Sequence, residues 1–256
     1  MDMSLLALFQ GIHMPEDANT NTLMLLRWVH FLAGITWIGL LYFFNLVNVP
    51  FMKEIDAATK GKVVPSLLPK ALWWFRWGAV VTVLAGIWYW MMIVGADKRN
   101  AEGAVSAGQA IWSFFLIWTV VWAIGYVLIT VLRINKGMVL AVIMAVVVIA
   151  AAWLYLSMNS HGWESNRLLS IGIGGGLGWV MMLNVWGIIW RNQKKIIAWT
   201  KANANEGTAI PAESATLARH AFLASRMNAW FSLPMLFFMA AASHYPMFTN
   251  IPTTMP

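Results

Sequence analysis

The chain has 256 residues, is 60% hydrophobic and only 11% charged, and has a mean hydropathy of +0.67, which places it outside the range of soluble domains. It contains no cysteine, which excludes disulfides, thiolate metal sites, iron–sulfur clusters and the CxxCH attachment of c-type haem. The net charge of +7 does not gather into a nucleic-acid-binding patch. Four Lys+Arg fall in 49–71, two in 133–137 and six in 191–226, so twelve of the 17 occupy alternate loops.

In chain order, Met1 to Met14 lack a basic leader and a long apolar core, so this segment is expected at a membrane interface rather than as a signal peptide. Six apolar runs follow, at roughly 23–48, 72–96, 109–132, 138–158, 168–190 and 227–244, each near the ~20 residues a transmembrane helix needs. The expected fold is an all-α polytopic membrane helix bundle. Residues 1–22 form an outer N-terminus, 23–248 one six-helix domain and 249–256 an outer tail. The basic loops predict that both termini face the periplasm of a bacterial inner membrane. Between the last two runs, Pro211 precedes a helical pattern over Ala212 to Arg226 that leads into the sixth span, where Pro234 is expected to kink it.

No span carries Asp, Glu or Lys in its central part, which argues against a proton relay or an ion-coupled transporter. The polar residues inside the spans are His30, Asn45, Asn184, Asn228 and His244. Each needs a partner in lipid and is a candidate functional position. His30 and His244 lie near the outer ends of antiparallel spans one and six, at similar depth. Two imidazoles facing each other in this way suit the iron of a b-type haem, which needs no cysteine. His30, Gly34, Trp37, Leu41 and Asn45 share one helical face, with Gly34 leaving room for a ring, Trp37 able to pack on it and Arg27 one turn further out for a propionate. The alternative is a His30 that bonds a backbone carbonyl and an interfacial His244.

The remaining features read as structural. Gly172, Gly174, Gly175, Gly176 and Gly178 in span five favour close helix packing, or the approach of a flat cofactor. Trp28, Trp73, Trp74, Trp77, Trp112, Trp163 and Trp190 fall near span ends as an aromatic belt. Met181, Met182, Met235 and Met239 read as packing rather than copper ligands, because no Cys or clustered His accompanies them. His13 and His161 read as loop residues. His220, with Arg219 and Arg226 beside it, is either helix surface or part of a separate site with Asn228.

Longer patterns carry a family resemblance. The run from Leu26 through His30, Gly34 and Trp37 to Gly39, the segment Trp74-Phe-Arg76-Trp-Gly78 with Thr82 and Gly86, Asn184-Val185 with Gln193-Lys194, and Arg226-Met-Asn228 with Ser232-Leu-Pro234 and Ser243-His244-Tyr245-Pro246 resemble the membrane domain of the bacterial membrane-bound urate oxidase family. The resemblance spans roughly residues 20–248. It implies a redox role, since full-length relatives join this domain to a C-terminal cytochrome c domain and are linked to urate oxidation. No CxxCH occurs here, so a separate periplasmic cytochrome c is the expected partner, alongside lipid and other membrane subunits.

Three functions follow as expectations. The first is a redox subunit with haem b on His30 and His244 that exchanges electrons with a periplasmic cytochrome or a quinone. The second is a urate oxidase-like enzyme that holds its substrate with Asn and Arg side chains. The third is a cofactor-free structural subunit. The His30 to Trp37 spacing is also similar to that of haem-binding protoporphyrinogen oxidases and copper-resistance membrane proteins.

Overall fold

The computed structural model describes residues 15–102 and 105–248. Six continuous helical rods fill these residues: α1 Ala18–Glu54, α2 Ala57–Asn100, α3 Gly108–Val131, α4 Gly137–Asn159, α5 Asn166–Glu206 and α6 Glu213–His244. The expectations for Met1 to Met14, for His13 and for the tail fall outside the described residues. Side chains start three of the rods. Asp17, Asp56 and Ser165 each accept the backbone N–H three residues on, from Thr20, Thr59 and Leu168, satisfying a donor that the first turn leaves open. Asp17 and Asp56 therefore hold their carboxyl pKa below the usual aspartate value, chiefly through bonds from the Thr20 and Thr59 groups.

Five rods are long and apolar enough to cross a membrane, and the chain is a multi-pass membrane protein. The sixth apolar run, in α6, is diluted by Asn228, Ser232, Pro234, Ser243 and His244, yet α6 packs along α5 and also meets α1. Rods α1, α2 and α5 have 37, 44 and 41 residues. At 1.5 Å per residue the longest is about 66 Å, twice the ~30 Å hydrocarbon core, and its excess carries Lys60, Lys62 and Lys70. Most of the basic segments 49–71 and 191–226 are thus helical extensions at one end of the bundle, while Arg133 and Lys136 stay in the short loop between α3 and α4. Three π-helical turns, Phe43–Asn48, Val127–Val131 and Val185–Trp190, occur where α1, α3 and α5 approach this basic end. The first lies just ahead of Pro50, which has no N–H for the preceding turn.

The central helix is α5, packed against α2, α3, α4 and α6. Its glycines explain that position. A Cβ on Gly172 would overlap the Tyr155 ring of α4, and one on Gly176 would overlap the Trp118 indole of α3. Both large side chains are fully buried, and Trp118 donates to the Gly172 carbonyl at 3.0 Å. Trp90 of α2 donates in the same way to Leu168 O at 3.1 Å. Tryptophan therefore has two roles in this chain. Trp28, Trp73, Trp74, Trp77 and Trp112 are exposed near the ends of the apolar runs, which for α2 is the middle of the rod, whereas Trp37, Trp90 and Trp118 fill the core.

Candidate functional site

Between α1, α2, α5 and α6, in the half of the bundle away from the basic end, lies a cavity of about 450 Å³. Its wall is mainly apolar, and a few polar residues converge on it: Arg27, His30, Trp37, Tyr42, Thr82, Tyr89 and Ser243. This composition is the usual one for a small-molecule or cofactor site.

His30 enters the cavity from α1. Its Nδ1 lies 2.8 Å from the Thr82 carbonyl of α2, and because a carbonyl only accepts, Nδ1 carries the proton and Nε2 keeps its lone pair. Nε2 has no hydrogen-bond partner among the described residues. The ring can sit this close to α2 because residue 86 is glycine: a Cβ there would lie 2.9 Å from both Cε1 and Nδ1 of His30. A fixed tautomer with a free nitrogen is how a metal-binding histidine is held.

Elsewhere in the wall, glycines leave space. A Cβ on Gly34 would lie 3.6 Å from the Thr82 methyl, and one on Gly178 would meet nothing within 4 Å. Gly174 and Gly175 also border the cavity, although α6 comes close to Gly174, where a Cβ would lie 3.0 Å from Phe238 Cβ and 3.1 Å from Met235 O. The glycine run of α5 thus serves close packing at Gly172 and Gly176, which admit neighbouring aromatics, and at Gly174, which admits α6, while Gly178 borders open space. Trp37 is 1% exposed, and its buried indole N–H has no partner. At the mouth Arg27 donates to the Tyr89 hydroxyl at 2.8 Å and lies 5.5 Å over the same ring.

His244 is placed differently. It is exposed at the end of α6 and is absent from the cavity wall, which α6 supplies through Met235, Leu236, Met239, Ala242 and Ser243. Those residues centre on the direction of Met239. At 100° per residue His244 is turned roughly 140° from it, so the chain brings His30 together with two thioethers on α6 rather than with His244.

The three asparagines lie in the other half and face closed packing. Asn184 and Asn228 are both 0% exposed. Asn184 Nδ2 donates to Asn228 Oδ1 at 2.8 Å, and Asn228 Nδ2 donates to Met181 O at 2.9 Å. Asn45 Nδ2 donates to Ser225 Oγ at 2.9 Å and so ties α1 to α6. Beside it, Tyr42 and Ser232 share a hydroxyl bond of 3.0 Å. Met181 is fully buried, and among the described residues no group of three or more His, Cys, Asp or Glu could hold a metal.

A second cavity, of about 670 Å³, lies at the loop end beyond α2 and α4, lined by Asp97, Glu102, Gln109, Asn159, His161 and Glu164 among others. His161 is committed there: its backbone N–H and its Nδ1 each meet the buried Glu164 carboxylate at 2.8 Å. Sequence reasoning missed Asn166, whose amide donates to the carbonyls of Ala241, Ala242 and Tyr245 and whose Oδ1 accepts from Met247 and Phe248. It also missed Tyr89. The available signal was spacing, since Thr82, Gly86 and Tyr89 recur at i, i+4 and i+7 on α2.

A family model described as urate oxidase N-terminal matches residues 55–255. The chain belongs to that family. No characterised protein and no solved structure matches it. Membership of the urate oxidase N-terminal family rests on α2 to α6, because the matched segment begins after Glu54 and so leaves out α1 with His30. Thr82, Gly86 and the α5 and α6 walls of the cavity lie inside the matched segment, so the site joins family residues to one helix that precedes them.

Proposed function

We propose that this urate oxidase N-terminal domain is a membrane redox subunit that binds a b-type haem in the cavity between α1, α2, α5 and α6. The observation that carries the reading is the His30 imidazole, locked by the Thr82 carbonyl with Nε2 left free. The group fits the residues present. Glycines open the wall, Arg27 stands at the mouth for a propionate, and the thioethers of Met235 and Met239 border the same space. Histidine–methionine ligation suits these residues better than the His30–His244 pair, and it would raise the potential. When bound, haem would supply one-electron transfer to or from a periplasmic cytochrome or a quinone. The chain's own contribution is to fix the imidazole through Thr82 and Gly86 and to exclude water with Trp37, Trp90 and Phe114.

The test is an absorption spectrum of the full chain purified from cells supplied with haem. A dithionite-reduced α-band of the b type supports the reading, and its absence overturns it. In the orientation predicted by the basic loops, a reporter inserted after Gly207 reads cytoplasmic and one after Gly162 reads periplasmic. The buried, unpartnered Trp37 N–H favours a second reading, in which the cavity takes a quinone head group. Trp37 would then donate to a quinone carbonyl, and His30 Nε2 would accept from a quinol hydroxyl. Quinol oxidation without any haem band would select it. Family membership also supports a urate oxidase-like activity that relies on a separate cytochrome c, checked by urate turnover with added cytochrome.

A further inference from the structure

We propose that Arg133, Arg191 and His220 form an oxyanion site at the basic end of the bundle, which binds the phosphate group of an anionic membrane lipid. Three elements meet there: the α3–α4 loop, the part of α5 beyond its π-helical turn, and the first turns of α6. Arg133 is the one described non-glycine residue with a positive φ, 52°, an uncommon backbone state for such a residue. The loop is held in that turn by Leu132 N–H to Val127 O and Ile134 N–H to Leu128 O, both 2.9 Å. Arg219 of α6 closes it from the other side by donating to Asn135 O. The backbone of the loop therefore fixes where Arg133 is displayed.

Arg191 is held in place as well, with Nη1 donating to the Tyr126 hydroxyl at 3.2 Å and the guanidinium 5.7 Å over the Tyr126 ring. His220 is 6% exposed, and its Nε2 is buried with no hydrogen-bond partner. Burial first, then the charges of Arg133 and Arg191, push its pKa below the usual histidine value, so both arginines act on this one imidazole. The only ion pair among the described residues is His161–Glu164, at the opposite end. One guanidinium held by Tyr126 and one on a backbone-fixed loop, with no carboxylate paired to either among the described residues, offer donors only, and His220 adds a third donor in the tautomer that carries its proton on Nε2. An oxyanion satisfies all three.

The surroundings select a lipid as its source. Val131, Leu132, Met138 and Val139 flank Arg133 and are 63%, 62%, 78% and 44% exposed, so acyl chains have an apolar wall directly beside the cations. In the predicted orientation this end faces the anionic cytoplasmic leaflet.

The experiment uses the full chain in nanodiscs of equal phosphatidylglycerol and phosphatidylethanolamine, with the lipids that survive detergent exchange counted by native mass spectrometry. The wild-type chain should retain phosphatidylglycerol preferentially. The double variant R133Q/R191Q should lose about fivefold of that preference per arginine, and R133K/R191K should recover most of it. A K195Q/K201Q control, with the same charge loss on α5, should leave it unchanged. A parallel arm follows melting in inorganic phosphate: protection of wild type and not of R133Q/R191Q, without lipid preference, keeps the oxyanion site and assigns it a free anion. Equal lipid preference and equal phosphate response in R133Q/R191Q and the lysine control would overturn the site.

Discussion

Around His30 an imidazole nitrogen without a protein partner borders a cavity, whereas around Asn45, Asn184 and Asn228, in the other half of the same bundle, amide nitrogens donate to protein groups across helix boundaries and, of their buried atoms, only Asn184 Oδ1 is left without a partner. Both regions are polar islands in an apolar rod packing, and both use α1 and α6. Their glycines and branched side chains make the difference. Near His30 the neighbouring positions include Gly34 and Gly178, which leave volume; near Asn184 they are Met181, Val185 and Ile188, which are fully buried and fill it. A polar residue in a membrane helix thus acts as a fastener where its neighbours close on it and as a ligand where they do not.

The sharpest way to break this comparison is to add one methyl in each setting on α5. Gly176→Ala drives a Cβ into the Trp118 indole and should destabilise the fold by about 3 kcal/mol, the upper end for overpacking a core. Gly178→Ala meets nothing within 4 Å and should leave the melting temperature unchanged while narrowing the cavity. Thermal unfolding in detergent compares the two; equal melting temperatures would erase the distinction between packed and open glycines.

Asn184→Leu should cost roughly 2 kcal/mol, because it leaves the Asn228 amide buried without its donor. That is more than the loss for Leu183→Ala, whose side chain is only half-buried. His30→Ala, by contrast, should change stability by less than about 1 kcal/mol and abolish the b-type band. Gly86→Ala should shift that band by displacing the imidazole from Thr82. A large stability loss with an unchanged spectrum in His30→Ala would make His30 a fastener like the asparagines. The smallest effect is expected for Trp37→Phe. It removes an N–H that has no protein partner, so stability should fall by no more than about 1 kcal/mol, and the spectrum, or the quinol affinity, should move only slightly.

Much of this was legible from residue order. The apolar runs announced the rods and their order because lipid forces every backbone donor into a helix, and the clustering of lysine and arginine separated the two ends. The lengths of α1, α2 and α5 were less legible, since their polar extensions beyond the apolar runs carry no hydrophobic signal. His30, Gly34 and Trp37 could be grouped on one face of α1, because 3.6-residue periodicity is a local property. His244 was harder. Its depth could be counted along α6, but its direction depends on which face of α6 meets α5 and α1, and that rotation is set by Phe238, Met235 and Ser232 against their neighbours.

What the sequence determined by itself is therefore the class of the molecule: a multi-pass helical membrane protein of the urate oxidase N-terminal family, without cysteine-held cofactors. Composition and periodicity suffice for that because they report one-dimensional requirements of the bilayer. Tertiary structure alone decided which glycines are packed and which are open, that the His30 proton is directed to Thr82, and that α6 reaches the α3–α4 loop through Arg219 while α5 reaches α3 through Arg191. Those facts depend on the azimuth of each rod and the register between rods, which arise from side-chain interlocking across helices far apart in the chain.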